Sequence, residues 1–510
     1  MAFKEAHEFG RLRSFLWPVH THEYRKFIPM LLIYFLICFN YTILRAAKDA
    51  LVITAPASGA EALPFIKVWA ILPMALLMTF IFTRLSNKYK REHVFYIMMG
   101  IFLGFFTLFA TVIYPFRDAL HPHVFADKLQ TLLPNGFSGF IAIFRNWTFT
   151  AFYVMSEMWS TMIMSVLFWS FANEVTSIRD ARRFYTLFLI GANIACCAAG
   201  VASVWISEAG RNLLLPFGTD PWGQSTILLC GMVVILGLIT CAGFRWLNVK
   251  GYGYSAKGEE EEKESKMGLR NNFSYIAKSK YLIYIAIIVV GYNIAINLTE
   301  VVWKDQMKQL YSTPNDFNAY MGKVLRSMGL ISTTIAVIIS GNMIRKLSWT
   351  FSALIPPVIL AITGIGFFTF LFFRSSNMAQ EITSFFHSTP LVLCVFFGSM
   401  QNCLSRASKF TFFDATKEMA FIPLSRECKL KGKAAIDGIG SRLGKSGSSI
   451  IHQSLLMLTG SVALSTPYVA IVFLAAIGGW ILAVRSLGTQ FQTLTSKDTP
   501  TTTKPAEATI

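Results

Sequence analysis

Twelve stretches of this 510-residue chain are apolar over enough residues for a helix to cross the roughly 30 Å hydrocarbon core of a bilayer, which takes about 20 residues. They run over approximately 27–51, 64–83, 94–115, 139–170, 184–206, 224–246, 281–304, 318–343, 351–373, 388–413, 433–458 and 466–485. In hydrocarbon every backbone N–H and C=O must be satisfied within the protein, so such runs are expected to be helices. Composition agrees. With 54% hydrophobic residues, 15% charged residues and a mean hydropathy of +0.50, the chain is too apolar for a soluble globular protein of its length. The expected fold class is an all-α membrane protein of twelve transmembrane helices. The chain nevertheless carries 46 Lys+Arg against 28 Asp+Glu, a formal net charge of +18. In a membrane protein the natural counterpart of that charge is a lipid surface or an anionic solute, not nucleic acid.

Only one gap between the runs is long. It includes GYGYSAKGEEEEKESKMGLRNN, a charged stretch with no apolar periodicity that reads as a solvated linker. The expected organisation is a cytoplasmic N-terminal segment over 1–26, a six-helix half over 27–246, a cytoplasmic linker over 247–280, a second six-helix half over 281–486 and a polar cytoplasmic tail over 487–510. Lys/Arg asymmetry sets the orientation. Arg84, Lys88, Lys90, Arg91, Arg179, Arg182, Arg183, Arg345, Lys346, Arg426 and Lys429 share one side with both termini, whereas the other side holds few bases, such as Arg117, Lys128, Arg211, Lys308 and Arg374. Both termini are therefore expected in the cytoplasm, and much of the net charge is ordinary topology. The N-terminal segment lacks a short apolar core with a cleavage site and leaves little room for a transit peptide, so a bacterial inner membrane is the expected location. A weak repeat, FTRLSNKYKREH after the second run and MIRKLSWT after the eighth, points to two related halves around a central cavity, the major-facilitator arrangement.

Ionisable residues inside a span cost several kcal/mol unless they face a cavity or a partner, so each is a functional candidate. The bases are Arg45, Lys48, Lys67, Arg145, Lys304, Lys323, Arg326, Arg406, Lys409, Arg442 and Lys445; the acids are Asp49, Glu157, Glu300, Asp305, Asp414 and Asp437. Arg45, Lys48 and Asp49 fall at i, i+3 and i+4 on one helical face, and Arg406 and Lys409 at i, i+3 on another. Lys304, Lys323 and Arg326 lie near span ends, from which long side chains snorkel to the headgroups. Eleven bases against six acids leave an excess of five positive charges that cannot pair internally, and phosphate groups suit such Lys and Arg donors.

Other signals are weaker. The cysteines are scattered without metal-ligand spacing, and no HExxH motif or acidic box is present, so neither catalysis nor a cofactor is expected. Gly444-Lys445-Ser446 resembles the end of a phosphate-binding loop, but the required first glycine is replaced by Ile439 and no strand precedes it. Trp69, Trp147, Trp159 and Trp303 lie near the charges in sequence and are candidates for stacking on a base.

The strings KDALVITAPASGAEALPFIKVWAILP, FYVMSEMWSTMIMSVLFWSFANEVT, NLTEVVWKDQMK, QNCLSRASKFTFFDATKEMAFIPL and KLKGKAAIDGIGSRLGKSG are similar to those of the nucleotide transporters of plastids and obligate intracellular bacteria. The resemblance runs from about residue 30 to 490 and takes in nearly every span. It implies import of ATP in exchange for ADP by alternating access, the basis of energy parasitism in such bacteria. ATP and ADP are then the partners, with the lipid bilayer around a chain whose simplest assembly is a monomer. It further implies critical roles for Lys67, Glu157, Glu300 and Lys445, which match the family's charged positions. Lys67 and Lys445, helped by Arg45, Lys48 and Lys409, would hold phosphates, while Glu157 and Glu300 would pair with bases in the empty carrier. Asp49 completes the charged face of the first span, and Asn193 and Asn402 are candidates for hydrogen bonds to adenine or ribose. Two alternatives stand beside exchange: a proton-coupled nucleotide symporter using Glu157, Glu300 or Asp437, and a non-transporting membrane interaction protein.

Overall fold

The computed structural model describes residues 17–212, 218, 220–251, 279–338, 348–374, 376, 381, 384–385, 387–424, 432–433, 436 and 441–497. Among the described residues every regular element is helical. Ten helices are long and apolar enough to cross a membrane: α1 Thr21–Ile53, α2 Ala62–Lys88, α3 Arg91–Ile113, α4 Trp147–Val175, α5 Arg183–Gly210, α6 Pro221–Val249, α7 Lys280–Leu310, α8 Pro314–Ile338, α9 Trp349–Phe372 and, last in the chain, α12 Val462–Leu494. The remaining two apolar runs correspond to α10 Pro390–Ser408 and α11 Ser441–Thr459. Both are helical but more polar, because α10 carries Gln401, Asn402 and Arg406, and α11 carries Lys445, His452 and Gln453.

The fourth run departs from expectation at its start. A separate short helix, Ser138–Arg145, precedes α4, and Arg145 forms an ion pair with Asp127 at 2.6 Å and donates to Gln130 at 3.1 Å. Arg145 is thus a loop-anchoring residue and not a charge within a span. The tenth run continues past Ser408 through a π-helical turn, Lys409–Phe413, into Asp414–Ala420. The linker lies almost wholly outside the described residues, as do Arg345 and Lys346 of the suggested repeat, and Asp437.

Packing divides the helices into two groups. In one, α1 packs on α4, α5 and α6; in the other, α7 packs on α10, α11 and α12. The main seam between them is α5 against α8, which is built on small residues, as helix pairs in lipid commonly are. A Cβ placed on Gly200 would lie 2.5 Å from the Gly322 carbonyl oxygen, and one on Gly329 would lie 2.6 Å from the Asn193 carbonyl oxygen. The outward surface is apolar, with Leu76, Phe80, Trp205, Ile235, Ile362, Ile471 and Leu482 exposed, while charges such as Lys48, Asp49 and Lys304 are buried. This inverts the soluble pattern and suits a hydrocarbon solvent.

Side-chain bonds between the two groups collect at the end remote from the termini. Lys308 of α7 donates to the Ser58 carbonyl after α1, Ser225 of α6 donates to Asn315 of α8 at 2.7 Å, and Asn318 of α8 donates to Ser207 of α5 at 2.8 Å. Near the termini, described bonds such as Arg183 to Glu23, Tyr281 to the Ala420 carbonyl and Trp349 to the Thr416 carbonyl stay within one group. The bundle is thus sealed at its far end. Gly200→Ala should destabilise the α5–α8 seam by about 1–3 kcal/mol, the usual cost of overpacking, and lower the unfolding temperature in detergent; an unchanged temperature would contradict so tight a seam.

Candidate functional site

Lys48 and Asp49 sit near the far end of α1 with 2% and 0% exposure, buried from water. Each finds partners across helices. Lys48 Nζ lies 3.1 Å from Asp49 Oδ1, 3.0 Å from Glu157 Oε1 of α4 and 3.7 Å from the centroid of the Tyr153 ring. Asp49 Oδ2 lies 2.8 Å from Lys304 Nζ of α7, which also meets Glu300 Oε1 at 2.8 Å one turn away. Glu300 Oε2 continues to Lys67 Nζ of α2 at 3.4 Å, and Lys67 donates to Asn297 Oδ1 at 3.0 Å. The result is one chain, Glu157–Lys48–Asp49–Lys304–Glu300–Lys67, whose signs alternate and whose three acids balance three bases. Two of its links, Asp49–Lys304 and Lys67–Glu300, join the two helix groups. Lys304 is 1% exposed, so it does not snorkel as its position near a span end suggested. Lys323 and Arg326 are exposed on α8.

Below this network, toward the termini, opens a cavity of about 460 Å³. Its lining descends α7 from Glu300 through Asn297 and Asn293 to Val289, and α10 from Asn402 to Arg406, continuing beyond the end of α10 to Lys409 and Lys417. Arg45 of α1 and Lys445 of α11 complete it. Five bases (Arg45, Arg406, Lys409, Lys417 and Lys445) face two acids, Glu300 and Asp414, a difference of three. Glu300 is already engaged by Lys67 and Lys304, and Asp414 Oδ2 lies 3.7 Å from Lys409 Nζ. Among the described residues no carboxylate pairs with Arg45, Arg406 or Lys445. A neutral latch thus borders a cavity with surplus positive charge, the arrangement that favours a polyanion.

A second cavity of about 450 Å³ meets the first at Arg45 and Arg406, which line both. Its walls are mainly apolar, from α1, α4, α5, α8 and the α10 segment, and include Met164, Leu189, Ile190 and Met328.

Three π-helical turns coincide with the charged positions, as such turns often do at functional sites. One begins at Lys67, one at Trp159 two residues after Glu157, and one at Lys409. Each adds a residue to a turn and so changes which side chain points inward.

The sequence candidates therefore fall into three places. Lys48, Asp49, Lys67, Glu157 and Glu300 form the network; Arg45, Lys409, Lys445 and Asn402 line the basic cavity; Asn193 lines the apolar one. Glu157 pairs with Lys48, not with Lys67 or Lys445. The side chain of Arg442 lies outside the described residues. Arg406, which borders both cavities, and Lys304, the centre of the network, carry more of the site than their positions in sequence indicated. Asn297 also has a role, although its sequence context suggested only a chance glycosylation motif. None of the four tryptophans lines either cavity. Trp159 and Trp303 are buried and donate to the Ile37 and Val395 carbonyls.

Removing one partner of a buried ion pair strands the other charge, typically at about 3–5 kcal/mol. Lys304→Met should therefore lower the unfolding temperature sharply, and adding Asp49→Asn should restore part of the loss. A double variant no more stable than Lys304→Met would show that the Asp49–Lys304 link is not energetically coupled.

Comparison with known proteins identifies the family. Residues 3–491 match the family model described as TLC ATP/ADP transporter. ADP,ATP carrier protein 1 of Chlamydia pneumoniae is 46% identical over 498 residues, covering 96% of each chain. ADP,ATP carrier protein 1 of Rickettsia typhi is 36% identical, over 97% of this chain and 99% of its own. The chloroplastic ADP,ATP carrier protein 1 of Arabidopsis thaliana is 38% identical, over 95% of this chain and 76% of its own. Among solved structures, a bacterial homologue of the iron transporter ferroportin in its inward-facing state superposes with a TM-score of 0.56 at 15% identity, over 92% of this chain and 99% of its own. A D-xylose-proton symporter gives 0.53 at 12% identity, over 90% and 96%. These two share the fold alone, which is major-facilitator-like. Matched along nearly its whole length by the family model and by relatives of this identity, the chain belongs to the TLC ATP/ADP transporter family.

Proposed function

We propose that the protein is an ATP/ADP antiporter that imports ATP in exchange for ADP by alternating access. The observation that carries this reading is the basic cavity set against a charge-balanced network that joins the two helix groups. Support for the nucleotide comes from the relatives, which bear the name ADP,ATP carrier protein in chlamydiae, rickettsiae and chloroplasts. The bacterial relatives and the Lys/Arg asymmetry favour a bacterial inner membrane, twelve crossings and cytoplasmic termini. On that orientation the sealed end faces outward and the cavity opens to the cytoplasm.

The network supplies the coupling. Rocking the two groups apart at the sealed end requires Asp49–Lys304 and Lys67–Glu300 to separate. In the empty carrier that strips Lys67 of its carboxylate and takes from Asp49, Lys304 and Glu300 one of the two partners each has, at up to about 3–5 kcal/mol for a broken buried pair. Holding empty reorientation at one part in a hundred needs only about 2.7 kcal/mol, so these links suffice. A bound polyphosphate offers a replacement partner to Lys67 and meets the cavity bases Lys445, Arg406 and Lys409 of the other helix group. The loaded carrier can then part the network without stranding its bases. A ligand shifts an equilibrium only by its differential affinity for the two states, and replacement of Glu300 by phosphate on Lys67 is such a difference. Phosphates enter as competitors for cations already present, which makes ATP and ADP alternative occupants of one site.

The test is uptake of labelled ATP into proteoliposomes preloaded with ADP or left empty. Exchange predicts rapid uptake only with internal ADP, and equal uptake into empty vesicles would overturn it. Lys67→Ala and Lys445→Ala should each lower uptake at least about thirtyfold, the effect of losing a charged contact worth about 2 kcal/mol or more, while the protein remains in the membrane. Retained exchange in either variant would remove that residue from the phosphate site.

A further inference from the structure

We infer that the short helix His123–Leu132, between α3 and α4, lies along the headgroup layer of the leaflet at the end remote from the termini, and that the depression at its start holds a phospholipid phosphate against Lys128. On the proposed orientation this is the outer leaflet. Neither the helix nor the depression belongs to the two central cavities, so the contact is independent of the solute carried.

The helix has two faces. Toward the protein, Ala126 is fully buried, Asp127 Oδ1 lies 2.6 Å from Arg145 Nη2, and Gln130 Oε1 accepts from the same guanidinium at 3.1 Å. Away from it, Val124, Phe125 and Leu132 are 72%, 58% and 78% exposed, which no aqueous surface favours for three neighbouring apolar side chains. Phe125, Leu129 and Leu132 fall at i, i+4 and i+7 on one stripe, whereas Thr131 falls on another side of the helix. An amphipathic helix of this kind, with a lysine beside its apolar stripe, settles at a membrane surface.

Its surroundings identify lipid as the cover. Exposed apolar residues follow one another at four-residue intervals from α3 into the loop, through Leu108, Val112, Phe116 and Leu120. The apolar face is therefore continuous with the surface that α3 turns to the hydrocarbon. Trp147, half-exposed at the start of α4, donates its indole N–H to the Leu120 carbonyl at 2.8 Å. Tryptophan favours the headgroup level, and this bond holds the loop to the same level.

The depression has a volume of about 500 Å³ and is lined by Asp118, His121, Pro122, His123, Val124, Phe125 and Lys128. Apolar side chains thus stand directly beside a cation, as a phosphate joined to acyl chains requires. Lys128 is available for that contact, because Asp127 is engaged by Arg145 and Asp118 lies 3.9 Å from Arg117 Nε. His121 is not: its ring is buried with Nε2 2.6 Å from Thr148 Oγ1, and burial pushes its pKa down to about 4, which keeps it neutral.

The experiment places the photoreactive residue p-benzoylphenylalanine at position 125, 132 or 131 of the full chain, in nanodiscs of phosphatidylethanolamine and phosphatidylglycerol, and identifies adducts by mass spectrometry after irradiation. In place of Phe125 or Leu132 it should yield phospholipid adducts through the acyl chains, which an apolar face sunk about 5–10 Å into the headgroup boundary reaches. In place of Thr131 the adduct should be lost. In detergent titrated with phosphatidylglycerol, Lys128→Ala should raise the lipid concentration that half-saturates the adduct at position 125 about fivefold, the effect of one basic contact with an anionic headgroup. Equal adduct yields at all three positions, or no lipid adduct at 125 and 132, would overturn the placement of the helix. A crosslinked dimer in place of a lipid adduct would also overturn it, because a second copy of the chain would then cover the face. An unchanged half-saturating concentration in Lys128→Ala would overturn the phosphate contact. Neither measurement uses transport, so failure of ADP-dependent ATP uptake would leave this site standing, and failure of this site would leave the exchange reading intact.

Discussion

Placing six ionised side chains inside a bilayer is tolerable only if each charge lies against an opposite one. The chain from Glu157 through Lys48, Asp49, Lys304 and Glu300 to Lys67 meets that condition by strict alternation. Effective desolvation penalties are several kcal/mol per ion, so the network persists only while α1, α2, α4 and α7 stay in register. Much else follows. The far end of the bundle is sealed because the links between helix groups lie there, and the cavity opens toward the other end because it starts where the network stops. The network is a poor source of net stability, since apolar packing of similar volume would serve as well. On the proposed reading its value lies in being breakable by a competitor.

On the proposed reading that competitor is an anion, and the neighbouring cavity carries the surplus positive charge that would attract one. Arg45 and Arg406 stand at its upper end without a carboxylate among the described residues, and Lys445 faces them from α11. Balanced charges next to unbalanced ones create a site whose occupation changes the cost of opening the seal. Apolar walls beyond Arg45 and Arg406 then divide the space into a polar and an apolar end.

Much of this was legible residue by residue. Arg45, Lys48 and Asp49 share a helical face at i, i+3 and i+4, and any charge within an apolar run is conspicuous. What a helical period cannot reveal is the partner on another helix. Lys304 looks like a snorkelling end residue until α1 places Asp49 against it. Glu157 could have met any of several bases, and only the packing of α4 on α1 selects Lys48. Arg145 appeared intramembrane because its surroundings are apolar, yet a break before Trp147 leaves it at the end of a separate short helix, against Asp127. The π-helical turns at Lys67, Trp159 and Lys409 leave no local signature, and each shifts the inward face by a residue. Trp159 and Trp303 lie close to the site in sequence, but their rings are packed away inside the bundle.

The sequence by itself determined the class, since apolar runs of that length have no stable fold except helices in a bilayer, and it determined which charges would be anomalous there. It also carried the motifs that mark the family. The tertiary structure alone decided how those charges are shared between a neutral latch and a basic cavity. The reason is physical: membrane insertion depends on composition summed along the chain, whereas an ion pair depends on distances of about 3 Å between residues more than a hundred positions apart, such as Lys48 and Glu157 or Lys67 and Glu300.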